Sequence, residues 1–124
     1  MIDFKNTPFA GLRTADDKEF DDLINPILIR DEEILASYKA IRDGMVFTNK
    51  RIIAINVQGL TGKKIDLTSM PYNKIQIFSV ETAGTFDVDS ELEIWFSGVG
   101  IIKLNFAAGS NIVKICKIIS KYTL

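Results

Sequence analysis

The sequence contains no histidine and a single cysteine, Cys116. Without imidazole there is no side chain of unperturbed pKa near neutrality, no His zinc ligand and no Ser-His or Cys-His pair, so most common hydrolase and metalloenzyme designs are excluded. One thiol forms no disulfide framework and suits a reducing compartment. A basic excess is missing too: 15 Lys+Arg stand against 16 Asp+Glu, a formal charge of −1, which is not the footprint of a nucleic-acid binder. Long apolar runs are also lacking. Asp3, Lys5, Pro8 and Arg13 interrupt the first residues, and the longest later uncharged runs, Ile52 to Gly62 and Leu104 to Val113, are too short to span a bilayer. The expectation is a soluble, cytoplasmic, non-enzymatic protein with no cofactor and no metal.

What is present is an ordinary globular composition: 124 residues, 47% apolar, enough for one domain over 1–124 that holds a core without staples. Charge is unevenly placed. Residues 1–33 hold nine acids and four bases, a net −5, and the remainder holds eleven bases and seven acids, a net +4. Such a split suits complementarity within one subunit or between copies, or simply a solvated acidic helix.

Residues 1–33 read as an N-terminal helical extension. Thr14 with Asp17 resembles an N-cap with an acidic first turn, Phe20, Leu23 and Ile24 follow at helical spacing, and Asn25-Pro26 ends the helix. From Ile34 to Phe106 short runs of Ile, Val, Phe and Tyr alternate with polar turns, the texture of antiparallel sheet. Seven strands are predicted, at Ile34–Arg42, Met45–Thr48, Arg51–Val57, Lys63–Leu67, Ile75–Glu81, Leu92–Ser97 and Ile101–Phe106. Residues 109–122 read as an amphipathic helix. Ile112, Ile115, Cys116, Ile119 and Tyr122 line one face, with Lys114, Lys117 and Lys121 on the other. The apolar stripe must cover something, so the helix is expected to plug a bent sheet or a pair of near-orthogonal sheets, with Cys116 in the core.

Five segments carry a family resemblance: Ile41–Ile53, Val57–Lys64, Pro71–Ile75, Phe78–Asp87 and Glu91–Trp95, in that order and followed by a C-terminal helix. They resemble the bacterial pleckstrin-homology (PH) domain family. The resemblance implies a PH-like, partly open seven-stranded antiparallel barrel capped by the C-terminal helix. It also implies homo-oligomeric rings, in a family whose biochemical role is largely uncharacterised.

The motifs also have direct physical readings. Thr48-Asn49-Lys50-Arg51 joins two apolar strands in the span of a tight hairpin, so its first task is a turn. A second reading gathers Lys50, Arg51, Lys63 and Lys64 into an anion-binding or partner-binding patch, with the Arg51 guanidinium giving a carboxylate or phosphate two parallel hydrogen bonds. Gly59-Leu60-Thr61-Gly62-Lys63-Lys64 fails as a phosphate loop. Val57 stands five before Gly62, Lys64 replaces the required hydroxyl residue, and a strand follows instead of a helix. Asp87, Asp89, Glu91 and Glu93 alternate as on one strand face and do not fit a calcium loop; a base such as Lys103 is expected beside them. Trp95 lies between Ile94 and Phe96, so either it or its neighbours are buried. If Glu93 and Trp95 share the outer face, they mark an oligomer interface.

Two functions remain open on these grounds: a protein-interaction module that assembles with itself, another protein being the further candidate partner, or a membrane-surface module binding anionic lipid phosphates. In lipid-reading PH domains, the resemblance implies, basic residues on a long loop between the first two strands grip the headgroup. The corresponding connection here is Arg42-Asp43-Gly44, too short to wrap a polyphosphate and acidic at Asp43. The first reading is therefore preferred.

Overall fold

The structure is a computed structural model that describes residues 1–7, 9–81 and 89–124. Eight strands form one continuous, strongly bent sheet: β1 (Phe9–Ala15), β2 (Ile34–Lys39), β3 (Gly44–Thr48), β4 (Arg51–Gln58), β5 (Lys64–Pro71), β6 (Ile75–Glu81), β7 (Ser90–Phe96) and β8 (Gly100–Phe106). Their order is β5-β4-β3-β2-β1-β8-β7-β6, so β5 and β6 are free ends and the barrel is not closed. The C-terminal helix α2 (Ile112–Thr123) closes one mouth.

The open barrel with its helical cap agrees with expectation, with one strand more. That strand, β1, lies in the stretch read as helical. It pairs antiparallel with β2 and parallel with β8, joining the two halves of the sheet. Its alternation is masked by a register shift between Phe9 and Leu12, so the two inward side chains stand three apart and mimic helical spacing. Gly11, at φ 68°, permits the irregularity, and its N–H donates to Asn105 Oδ1 at 2.9 Å.

Thr14 accordingly pairs with Tyr38 in the sheet and caps nothing. The helix that follows, α1 (Asp21–Ile24), is a single turn, and the chain continues through Asn25-Pro26 as a 3₁₀ turn. The α-helix thus ends just before Asn25-Pro26, where it was expected to, and Pro26 is accommodated in the first turn of the 3₁₀ segment because no N–H is needed there.

The main core lies between the two halves of the sheet. Tyr38 packs edge-on against Phe47 and Phe106, and Leu92, Ile94 and Leu104 are fully buried. Ile112, Ile115, Ile118 and Ile119 of α2 enter this core, and burying each contributes about 1.5–3 kcal/mol. The helix starts where Asn111 Oδ1 accepts the Lys114 N–H at 3.1 Å. Cys116 is only half-buried, not a core residue as expected, and Ile118 takes the inward place. A second core lies on the outer face of β3 and β4. There Val46, Ile53 and Ile55 are covered by Phe20 and Ile24 of the α1 segment.

Candidate functional site

The structure disperses the predicted basic patch. Arg51 pairs with Pro71 at one end of the β4–β5 ladder, and Lys64 pairs with Gln58 at the other, seven residues or roughly 23 Å away. Lys63 and Lys64 therefore cannot share an anion with Arg51. The Arg51 guanidinium does grip a carboxylate in two parallel hydrogen bonds, but the carboxylate belongs to the same chain. Nε and Nη2 donate to Glu32 Oε2 and Oε1, each at 2.9 Å, while Nη1 reaches Ser69 Oγ and Nη2 also reaches the Ile27 carbonyl. The Glu32 side chain is 0% exposed and that of Arg51 19%.

The rest of the Thr-Asn-Lys-Arg motif holds the same loop. Thr48 Oγ1 donates to Glu32 Oε2 at 2.7 Å and accepts the N–H groups of Lys50 and Arg51. Asn49 Oδ1 accepts the Glu33 N–H, and its Nδ2 donates to the Asp31 carbonyl, where the chain turns at φ 65°. Burial raises the Glu32 pKa, but hydrogen bonds from Arg51, the Ile29 N–H and Thr48 outweigh it and hold the carboxyl below its ordinary value. The motif makes a turn and a clamp on residues 27–33; Lys50 alone stays exposed in solvent.

The connection between β2 and β3 is four residues, and its acid is occupied: Asp43 Oδ1 accepts from the Val57 N–H at 2.9 Å and from Asn56 at 3.2 Å. Arg42 donates to the Gly59 carbonyl. Asp87 lies outside the described residues. Among the described residues, no group of three His, Cys, Asp or Glu side chains converges as metal ligands would. Two tyrosines are shifted by burial: Tyr38 is pushed up to about 12, with Asp17 adding to the shift, and Tyr72 is raised further. The Tyr72 hydroxyl donates to the Thr48 carbonyl at 2.7 Å, a structural bond within the core.

The Trp95 alternative resolves outward. Leu92, Ile94 and Phe96 face the core, whereas Trp95 is 41% exposed on the outer face of the β6–β7–β8 half-sheet. The register aligns it directly with Ile77 on β6 and Ile101 on β8, which are 67% and 50% exposed. These three form an unbroken apolar row across the face. The next row is Ser79, Glu93 and Lys103, in which Lys103 Nζ lies 3.6 Å from Glu93 Oε1, the base expected beside those acids. The third is Glu81, Glu91 and Asn105. Sequence reading found Trp95 and Glu93 but missed Ile77 and Ile101, which join Trp95 only once the strand register is known.

A second surface went unnoticed. On α2, Lys114, Lys117 and Lys121 border a groove of about 470 Å³ whose floor includes Leu35, Ile118 and Tyr122. Helical periodicity gave only a solvated lysine face, because the floor contains a residue from β2. A further cavity of about 490 Å³ lies where the free strands β5 and β6 diverge, lined by Phe4, Met70, Lys74 and Phe96 among others. No described helix is long and apolar enough to cross a membrane.

Comparison with known proteins agrees with this architecture. The family model "Bacterial PH domain" matches residues 4–123. The uncharacterized protein YjqA of Bacillus subtilis (strain 168) is 46% identical over 96 residues, which is 76% of this chain and 77% of that protein. The uncharacterized protein YozO of the same organism is 30% identical over 114 residues, covering 92% and 95% respectively. Among solved structures, a DUF1696 family protein with a pleckstrin-homology domain from Shewanella loihica PV-4 superposes with a TM-score of 0.81. It is 40% identical, and the match covers 93% of this chain and 99% of that one. A pleckstrin homology domain from Shewanella amazonensis SB2B gives a TM-score of 0.68 at 42% identity, covering 96% and 93%. With an open eight-stranded sheet capped by α2 and a family match over nearly its whole length, the chain belongs to the bacterial PH domain family.

Proposed function

We propose that this domain is a non-enzymatic protein-interaction module that assembles with itself into a homo-oligomeric ring, using the face that carries Trp95. The supporting observation is the row Ile77–Trp95–Ile101, three large apolar side chains aligned on the uncovered side of the half-sheet. Together they leave on the order of 300 Å² of apolar surface in water, the size of patch that on soluble proteins is often functional. An aromatic flanked by aliphatic groups and rimmed by charge is also the composition of interface centres. The lipid-binding alternative has no comparable support, since the loop that would hold a headgroup is four residues long and its acid is engaged by β4.

Light scattering tests this reading. The wild-type chain is expected at a multiple of 13.9 kDa at high micromolar concentration, and Trp95→Glu at the monomer mass. A wild-type monomer under those conditions overturns the proposal.

A further inference from the structure

The Trp95 face has an acidic flank, Glu81 and Glu91. Glu81 and Glu91 stand directly opposite each other across β6 and β7, an arrangement in which like charges repel. The other cross-strand neighbour of Glu91 is the neutral Asn105, and among the described residues neither glutamate is in an ion pair. Only Glu93, one row nearer the tryptophan, has a cation, Lys103. This face therefore combines an apolar row with two carboxylates outside any ion pair among the described residues, Lys5 and Lys103 lining the same hollow as Glu91 without pairing with it.

The groove on α2 has the opposite composition. Its floor is apolar, its rim carries Lys114, Lys117 and Lys121, and no acidic residue lines it. None of the three lysines is in an ion pair among the described residues, although Lys121 Nζ lies 5.4 Å from the Tyr122 ring centroid. Val113 beside them is 59% exposed. The dimensions agree: Lys114 to Lys121 spans about 11 Å of helix, and Glu91 to Trp95 about 13 Å of strand.

We infer that these surfaces are the two halves of one head-to-tail contact between copies of this chain. The Trp95 row of one copy seats in the α2 groove of the next, and Glu81, Glu91 and Glu93 face Lys114, Lys117 and Lys121. This rests on the self-assembly reading and adds the second face of the contact and its polarity. Two different patches meeting between identical subunits form a heterologous interface, the kind that closes as a ring when the rotation per subunit allows. The charge pairs at its rim make the contact sensitive to salt.

Complementation between full-length variants tests the polarity. Trp95→Glu damages the row and keeps the groove. The triple variant K114E/K117E/K121E damages the groove and keeps the row; W95A and K114Q/K117Q/K121Q are milder versions should either fold poorly. Each variant alone is expected at 13.9 kDa, and an equimolar mixture at twice that mass, because one intact row and one intact groove make a single contact. A mixture that stays monomeric while the wild type assembles overturns the pairing, because an intact row and an intact groove are then both present and do not meet. A triple lysine variant with the wild-type mass overturns it as well, in favour of a contact of the row that does not use the groove, such as the row with itself. In both cases self-assembly through Trp95 survives, whereas a monomeric wild type removes both proposals.

Discussion

Removing the Glu32 carboxylate is expected to be among the most damaging single changes to this domain's stability. The carboxylate accepts from the Ile29 N–H, the Thr48 hydroxyl and two guanidinium nitrogens of Arg51, and its side chain is wholly shielded from water. Glu32→Ala leaves the guanidinium with only Ser69 Oγ and the Ile27 carbonyl as partners. Breaking a buried pair by deleting one member costs about 3–5 kcal/mol. Arg51 keeps 19% of its side-chain surface, so water recovers part of that, and about 2–4 kcal/mol is the working figure. Such a loss is a large share of the stability of a domain this size. The double variant E32L/R51L should recover most of it, since replacing both charges with apolar groups removes the desolvation cost along with the attraction. Urea unfolding followed by far-UV circular dichroism measures all three. A Glu32→Ala loss below about 1 kcal/mol, or a double variant no better than the worse single, would refute the account of this pair as a buried clamp.

Acid should weaken the fold. Thr68 and the N-terminal amine hold the Asp66 carboxyl below its ordinary value, and Glu32 is held down likewise, so both bind protons more weakly folded than unfolded. Their stabilisation is complete above the unfolded pKa near 4 and is lost as pH falls through the lower folded values; the urea midpoint should drop below about pH 4, less steeply in E32Q, and a flat midpoint down to pH 3 contradicts this. At Gly44, an added Cβ would lie 2.3 Å from the Phe20 ring, so Gly44→Ala should cost about 1–3 kcal/mol by displacing that ring from the second core. In a double-mutant cycle Gly44→Ala should cost much less in the F20A background, and simple additivity would show that the ring is not the obstacle.

Much of this fold is legible because β7 and β8 are buried on one face and alternate, while β3 and β4, buried on both faces, show as continuous apolar runs. From β2 to β8 each strand shows its inward side chains in the sequence, and the runs predicted there match the observed strands to within a few residues. What is hidden depends on pairing with distant residues. The bulge in β1 conceals a strand as a helix, and its parallel pairing with β8 joins residues nearly a hundred positions apart. Ile94, Trp95 and Phe96 are all apolar, so their alternation does not say which of them faces outward; the core side chains opposite decide that. Arg51 was recognisable as a carboxylate ligand, but its partner stands 19 residues earlier and nothing local names it. Lys63 and Lys64 looked adjacent to it because they are close in sequence to the same hairpin, whereas antiparallel pairing sends them to its far end.

The same comparison changes what the charge split means. Of the nine acids in residues 1–33, Glu32 is used by Arg51 and Glu19 by Lys39, so the segment total overstates the charge free for a partner. That segment lies on the outer face of β3 and β4, where its apolar residues cover Val46, Ile53 and Ile55. The chain thus covers the outside of one half-sheet with its own α1 segment, and no described residue does the same for the outside of the other, where Ile77, Trp95 and Ile101 stand in solvent. Both half-sheets carry apolar side chains on the outer face, and apolar area is stabilised by leaving water wherever its cover originates. For the first half-sheet the cover is intramolecular. For the second, the proposed cover is a neighbouring copy, and a copy that also brings positive charge toward Glu81 and Glu91 fits best: among the apolar surfaces described on this chain the α2 groove is the one rimmed by three lysines without an ion pair among the described residues.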